Sequence, residues 1–169
     1  MRIKLVLVVT SLLSACGSNA QNNVPHVLKG AQVDRIVVDK TDRVMILFGG
    51  DTEIARYADI KLGNAAMGHK RFEGDEKTPE GSYIINGRNP KSSYHLSLKL
   101  SYPNTLDKAY AKARGKSAGG DIFIHGQPNW SPMKRLSHDW TDGCIAVSNV
   151  EIEQLWKIVH DGTKIIVEP

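Results

Sequence analysis

Beyond residue 31 the apolar residues of this chain come in short runs, at 36–38, 44–48, 122–124 and 165–167, each closed off by Gly, Asp or Pro. Runs this short cannot make long helices. Rich in Val, Ile and Phe and bounded by turn residues, they read as strands. Asp39-Lys40-Thr41-Asp42 and Gly49-Gly50-Asp51 mark hairpin turns between the first of them, and 53–62 alternates loosely as a third strand. A strand resumes at Tyr83. Over 94–100 the alternation predicts Tyr94, Leu96, Leu98 and Leu100 on one face, with His95, Ser97 and Lys99 on the other. The acidic run at 73–77 reads as a solvated loop.

Two stretches only have helical character. Residues 105–114 are rich in Ala and Lys. A second helix is predicted from a cap at Ser148 or Asn149 to about His160, with Glu151 in its first turn. The expected fold is therefore α+β and mostly β, one domain with two short helices. At 169 residues, 41% hydrophobic and 24% charged, the chain is long enough for one core without staples. The formal charge of +4 is scattered, which gives no support for a nucleic-acid partner.

The first residues have a different character. Arg2 and Lys4 precede an apolar stretch to Leu13, and then come Ser14, Ala15 and Cys16. This is the layout of an export signal, too short to span a membrane. Leu13-Ser14-Ala15-Cys16 resembles a bacterial lipobox. The expected division is a signal peptide over 1–15, a lipidated N-terminus and tether over 16–31, and a catalytic domain over 32–169. Lipidation at Cys16 would anchor the protein to a membrane facing the periplasm, and Gly17 leans towards the outer membrane.

With Cys16 assigned to lipid, Cys144 is the lone thiol of an exported protein. It ends Thr141-Asp142-Gly143-Cys144 and lies 19 positions after His125, which is followed by Gly126. A thiol becomes a good nucleophile when a base is at hand, and His is the usual one. A near-neutral thiol pKa would mark a working nucleophile. No spacing of His69, His95, His138 or His160 fits a zinc site, so neither metal nor other cofactor is expected. Trp130 and Trp140 are candidate walls for a cleft.

His125-Gly126 followed by Thr141-Asp142-Gly143-Cys144 resembles the signature of the YkuD-type L,D-transpeptidases. Thr78-Pro79-Glu80-Gly81-Ser82-Tyr83 resembles that family's segment before a core strand. Ser101-Tyr102-Pro103-Asn104, residues 120–126 and Asp139 to Val147 resemble its murein-processing YafK/DpaA branch. The resemblance covers roughly residues 33–168. It implies a β-sandwich or barrel and an attack on the amide of a meso-diaminopimelate residue in peptidoglycan stem peptides. It makes Cys144 the nucleophile, His125 the general base and acid, and the backbone N–H of Gly143, beside that of Cys144, an oxyanion donor. Thr141, Asp142, Gly126, Tyr94, His95 and Trp140 become substrate-binding candidates. Hydrolysis that frees a lipoprotein from peptidoglycan is the alternative, and a catalytically silent wall-binding lipoprotein is another. Two positions depart from the family: Asp142 stands where many members have His, and Ala146 where many have Arg. Lys134, Arg135 and Arg88 are the candidates to replace that Arg.

Overall fold

The computed structural model describes residues 32–132 and 135–169. The leader, Cys16, the tether and Lys134 lie outside the described residues. Strand β1 (Arg35–Asp39) turns back antiparallel onto β2 (Val44–Gly49), and β2 onto β3 (Thr52–Tyr57). The first turn is held by the Asp42 N–H on Asp39 Oδ1 at 2.8 Å. Period-2 alternation sends Ile36, Val38, Met45 and Leu47 inward, all completely buried. The third strand ends at Tyr57 rather than near Leu62.

β4 (Gly81–Ser92) is long enough to serve two neighbours. Its first residues, 81–84, pair with β8 (Lys164–Glu168), and its later ones with β5 (His95–Leu100). β5 continues to β6 (Phe123–His125), which lies parallel to β7 (Ile145–Ala146). β8 also lies parallel to β1, so the eight strands run in the order β3-β2-β1-β8-β4-β5-β6-β7. The ladder is open at β3 and β7, but the sheet curls. Just after β3, Lys61 exchanges two backbone hydrogen bonds with Ala146 of β7, at 2.8 and 2.7 Å. This curl brings the chain at 61–64 against the turn that carries Cys144.

The helices are α1 (Thr105–Lys112) and α2 (Asn149–Ile158), each opened by a capping box, Asn104 with Asp107 and Ser148 with Glu151. α2 lays completely buried Ile152 and Leu155 over β5 and β6, each contributing about 1.5–3 kcal/mol of apolar burial. It stops at Ile158, two residues short of the predicted end. No helix among the described residues is long and apolar enough to cross a membrane.

Candidate active site

His125 ends β6 and Cys144 stands one residue before β7. The parallel register pairs Ile124 with Ile145 and His125 with Ala146, so Cys144 falls beside Phe123. Side chains two apart on a strand share a face, which puts Phe123, His125 and Cys144 on one wall. All three line a single cavity of about 370 Å³, together with Tyr94, Trp140, Thr141 and Asp142.

The imidazole of His125 is buried and boxed. The Tyr94 ring lies 4.5 Å from it, centroid to centroid, and the Trp140 ring 5.6 Å away, edge-on. Its Nδ1 is 2.7 Å from the carbonyl oxygen of Gly126, an atom that can only accept, so the proton is assigned to Nδ1 and the lone pair to Nε2. Burial pushes the imidazole pKa down to about 4, against a smaller upward pull from the Gly126 carbonyl. His125 is a neutral base with a fixed tautomer.

The Cys144 sulfur accepts from the Phe123 N–H at 3.4 Å, and its S–H points to the Asp121 carbonyl at 3.5 Å. Burial pushes the thiol up to about 11, and the charges of Asp142 and Asp121 add to this. The Phe123 N–H and Lys70 oppose it without reversing it. At rest both partners are therefore uncharged. A thiolate at this position would require the proton to leave for a base, and Nε2 of His125 is a neutral base on the same wall.

The turn 141–144 is braced from within. The Thr141 hydroxyl donates to the Cys144 carbonyl at 2.7 Å and accepts from the Gly143 N–H at 3.1 Å. That second bond corrects an expectation, because the Gly143 N–H is already committed. The Cys144 N–H has no acceptor among the described residues. Gly143 has φ +129°, and a Cβ there would stand 2.5 Å from the Lys77 carbonyl oxygen. The acidic run around Lys77 is no loose loop. Asp75 accepts from the N–H groups of Arg71, Phe72 and Lys77 and from Lys70 Nζ, fixing the carbonyl that Gly143 packs against.

Gly126 is held in the framework and is not among the residues lining the cavity. Its N–H donates to Tyr94 O at 3.0 Å, and a Cβ would stand 2.5 Å from Asn149 Oδ1. The same Asn149 oxygen accepts the Gln127 N–H at 2.7 Å, tying the residues after His125 to the start of α2.

Other candidates lie apart from the cavity. His95 has φ +68°, which breaks the predicted alternation, and its Nε2 meets Glu153 Oε1 of α2 at 2.8 Å. Neither Arg88 nor Arg135 reaches the cavity. Arg88 lies over the Trp156 ring and bonds the carbonyls of Trp156 and Val159, while Arg135 bonds Ala58 O, Asp59 O and the Glu151 carboxylate. Trp130 is 80% exposed and is not among the residues lining this cavity. Among the described residues, no group of three or more His, Cys, Asp or Glu converges as a metal site would require. Sequence reasoning missed Asn89, Ser92, Ser93, Ser97, Asp121 and Phe123 in the lining. Ser97 had a sequence signal in the alternation that put it on the polar face of its strand, and the structure pairs it with His125.

The sequence pattern of the YkuD family, the L,D-transpeptidase catalytic domain, matches residues 33–167. The chain belongs to this family. It is 25% identical over 173 residues to YafK of Escherichia coli (strain K12), a match covering 92% of this chain and 63% of YafK. The helical cell shape determining protein Pgp2 from Campylobacter jejuni is 32% identical with a TM-score of 0.64, over 82% of this chain and 48% of Pgp2. An L,D-transpeptidase from Mycobacterium smegmatis, 15% identical over 83% of this chain and 60% of its own, shares the fold at a TM-score of 0.54. The chain thus spans about half the length of Pgp2 and under two thirds of YafK.

Proposed function

We propose that this chain is a cysteine-dependent peptidoglycan L,D-transpeptidase acting on meso-diaminopimelate stem peptides through a Cys144 thioester. One observation carries the reading: Cys144 and His125 share the wall of one cavity, and the Gly126 carbonyl holds His125 with Nε2 as the base. The thiol turns from the Asp121 carbonyl towards Nε2 and gives up its proton as Sγ attacks the amide carbon. The oxyanion meets the Cys144 N–H. Collapse expels the amine, which takes the proton from Nε2 and leaves a thioester. An incoming amine then attacks, His125 takes its proton, and the returning thiol recovers it. Water in place of that amine gives hydrolysis and, on lipoprotein-bearing peptidoglycan, release of the lipoprotein. Tyr94 and Trp140 wall the reacting carbonyl, and Thr141 holds the nucleophile's turn. Cys16 as lipid anchor would keep the domain at a periplasmic membrane surface.

The test compares wild type with Cys144→Ala. Each is incubated with tetrapeptide muropeptides and with peptidoglycan carrying bound lipoprotein, and the products are read by mass spectrometry. New cross-links or D-Ala exchange that vanish in the variant support the transpeptidase. Products of hydrolysis alone transfer the reading to the amidase. Turnover that persists in Cys144→Ala would overturn both.

A further inference from the structure

The aromatic pair Phe72 and Tyr110, 5.9 Å apart, gathers three cations outside the catalytic cavity. The guanidinium carbons of Arg71 and Arg114 lie 4.4 and 3.6 Å from the Tyr110 ring centroid, and Lys116 Nζ lies 4.5 Å from that of Phe72. Lys108 and Lys112 of α1 are also exposed, and the one acid of that helix, Asp107, is buried and bonded to His69, Tyr83 and Asn104. The Asp75 carboxylate accepts the backbone N–H groups of Arg71 and Phe72, at 2.7 and 2.9 Å, and is shared with Lys70 Nζ. Among the described residues Arg71, Arg114 and Lys116 have no carboxylate partner, which is also true of Lys77, Lys91, Lys157 and Lys164, but these three gather on one aromatic pair.

A cation resting on an aromatic face keeps most of its N–H donors available and loses little freedom when an anion arrives; Arg114 commits one, from Nη1 to the Tyr110 carbonyl at 3.2 Å. Two guanidinium groups so held are suited to carboxylates, which they can grip in bidentate fashion. The patch also connects to the reaction centre. Glu73 N–H donates to Ser117 O at 2.9 Å, and the loop that begins at Lys116 ends at Asp121, whose carbonyl meets the Cys144 thiol. The cavity itself is lined by no Lys or Arg among the described residues.

The geometry points to Arg71, Arg114 and Lys116 on the Phe72–Tyr110 pair as an exosite for the carboxylates of a polyanionic peptidoglycan strand, whose neighbouring stem peptide enters the Cys144 cavity. The substrate class rests on the proposed function above; the anion site does not.

The test uses the full chain with Cys144→Ala, incubated with purified sacculi and sedimented over a range of salt. Binding should weaken as salt rises. R71Q/R114Q/K116Q should bind at least tenfold more weakly, while R71K/R114K should stay within about threefold. Circular dichroism and melting identify any variant that fails to fold, and in that case the single variants R71Q and K116Q are read instead, each expected to bind at least twofold more weakly. With Cys144 restored, the triple variant should turn over a soluble monomeric muropeptide like wild type and lose rate on sacculi. Sacculus binding unchanged in the folded triple variant overturns the exosite. So does patch-dependent binding to phosphatidylglycerol vesicles without binding to sacculi, which would make it a membrane site. If wild type never acylates yet the patch still governs sacculus binding, the reaction fails and the exosite stands.

Discussion

The neutral resting pair is open to direct titration of Cys144. The thiol moves from an ordinary 9.0 to about 11 because burial strips solvent from the thiolate. Two pH units leave ~100-fold less thiolate at pH 7 than an unperturbed thiol has. A more basic thiolate is also the stronger nucleophile, and a Brønsted slope near 0.45 returns ~8-fold. Exchange with 4,4′-dithiodipyridine should therefore run ~12-fold slower than in the urea-unfolded chain at pH 7. It should rise about tenfold per pH unit up to about pH 11. The variant Cys16→Ser removes the one other thiol. His125→Ala should leave the midpoint unmoved, since a neutral imidazole contributes no charge to it. A plateau below about pH 8, or a midpoint that climbs in His125→Ala, would establish a thiolate–imidazolium pair and refute this reasoning.

Three other outcomes are expected. His125 has a folded pKa of about 4 against 6.5 unfolded, so between those values the unfolded chain binds more protons. Its contribution is intact above about pH 6.5 and falls by up to ~3 kcal/mol towards pH 4. Urea melts at pH 7.5 and 4.5 should show this, and His125→Gln should flatten it. Gly143→Ala adds a Cβ at φ +129° against the Lys77 carbonyl, which should cost about 2–4 kcal/mol in urea melts and at least ~100-fold in acylation rate. A normal melt would show that the turn relaxes freely. Thr141→Val loses both bracing hydrogen bonds and should cost about 1–3 kcal/mol, whereas Thr141→Ser should keep stability and acylation near wild type.

What the sequence revealed divides along physical lines. Cys144 and His125 were legible because their chemistry is rare and each sits beside a glycine at a strand end. The hairpins were legible because Asp and Gly mark turns and the alternation of β1 and β2 is unbroken. His95 misled because β4 and β5 shift register between Asn89 and Ser92, and a positive φ at His95 itself turns the side chain towards Glu153. Arg88 and Arg135 misled for another reason. Sequence gives their charge, but only the fold shows that Trp156 and Glu151 hold them away from the cavity. The commitment of the Gly143 N–H was equally hidden, because it depends on the rotamer of Thr141.

The segment Thr78–Gly81 shows why motifs far apart in sequence belong to one site. The Thr78 hydroxyl accepts the Gly63 N–H at 3.0 Å, and its carbonyl accepts from Lys40 Nζ, which also pairs with Glu80 at 2.8 Å. A Cβ on Gly63 would stand 2.2 Å from the Glu76 carbonyl oxygen and 3.1 Å from the Cα of Gly143. Three backbones, at 63, 76–77 and 143, are thus stacked closer than side chains allow. Thr78 and Lys40 fasten that stack from beneath with buried polar groups that are satisfied only in this arrangement. The turn that carries Cys144 is therefore held from outside by a segment that does not line the cavity. On this account Thr78 belongs with Cys144 because both depend on the same close contact between glycines.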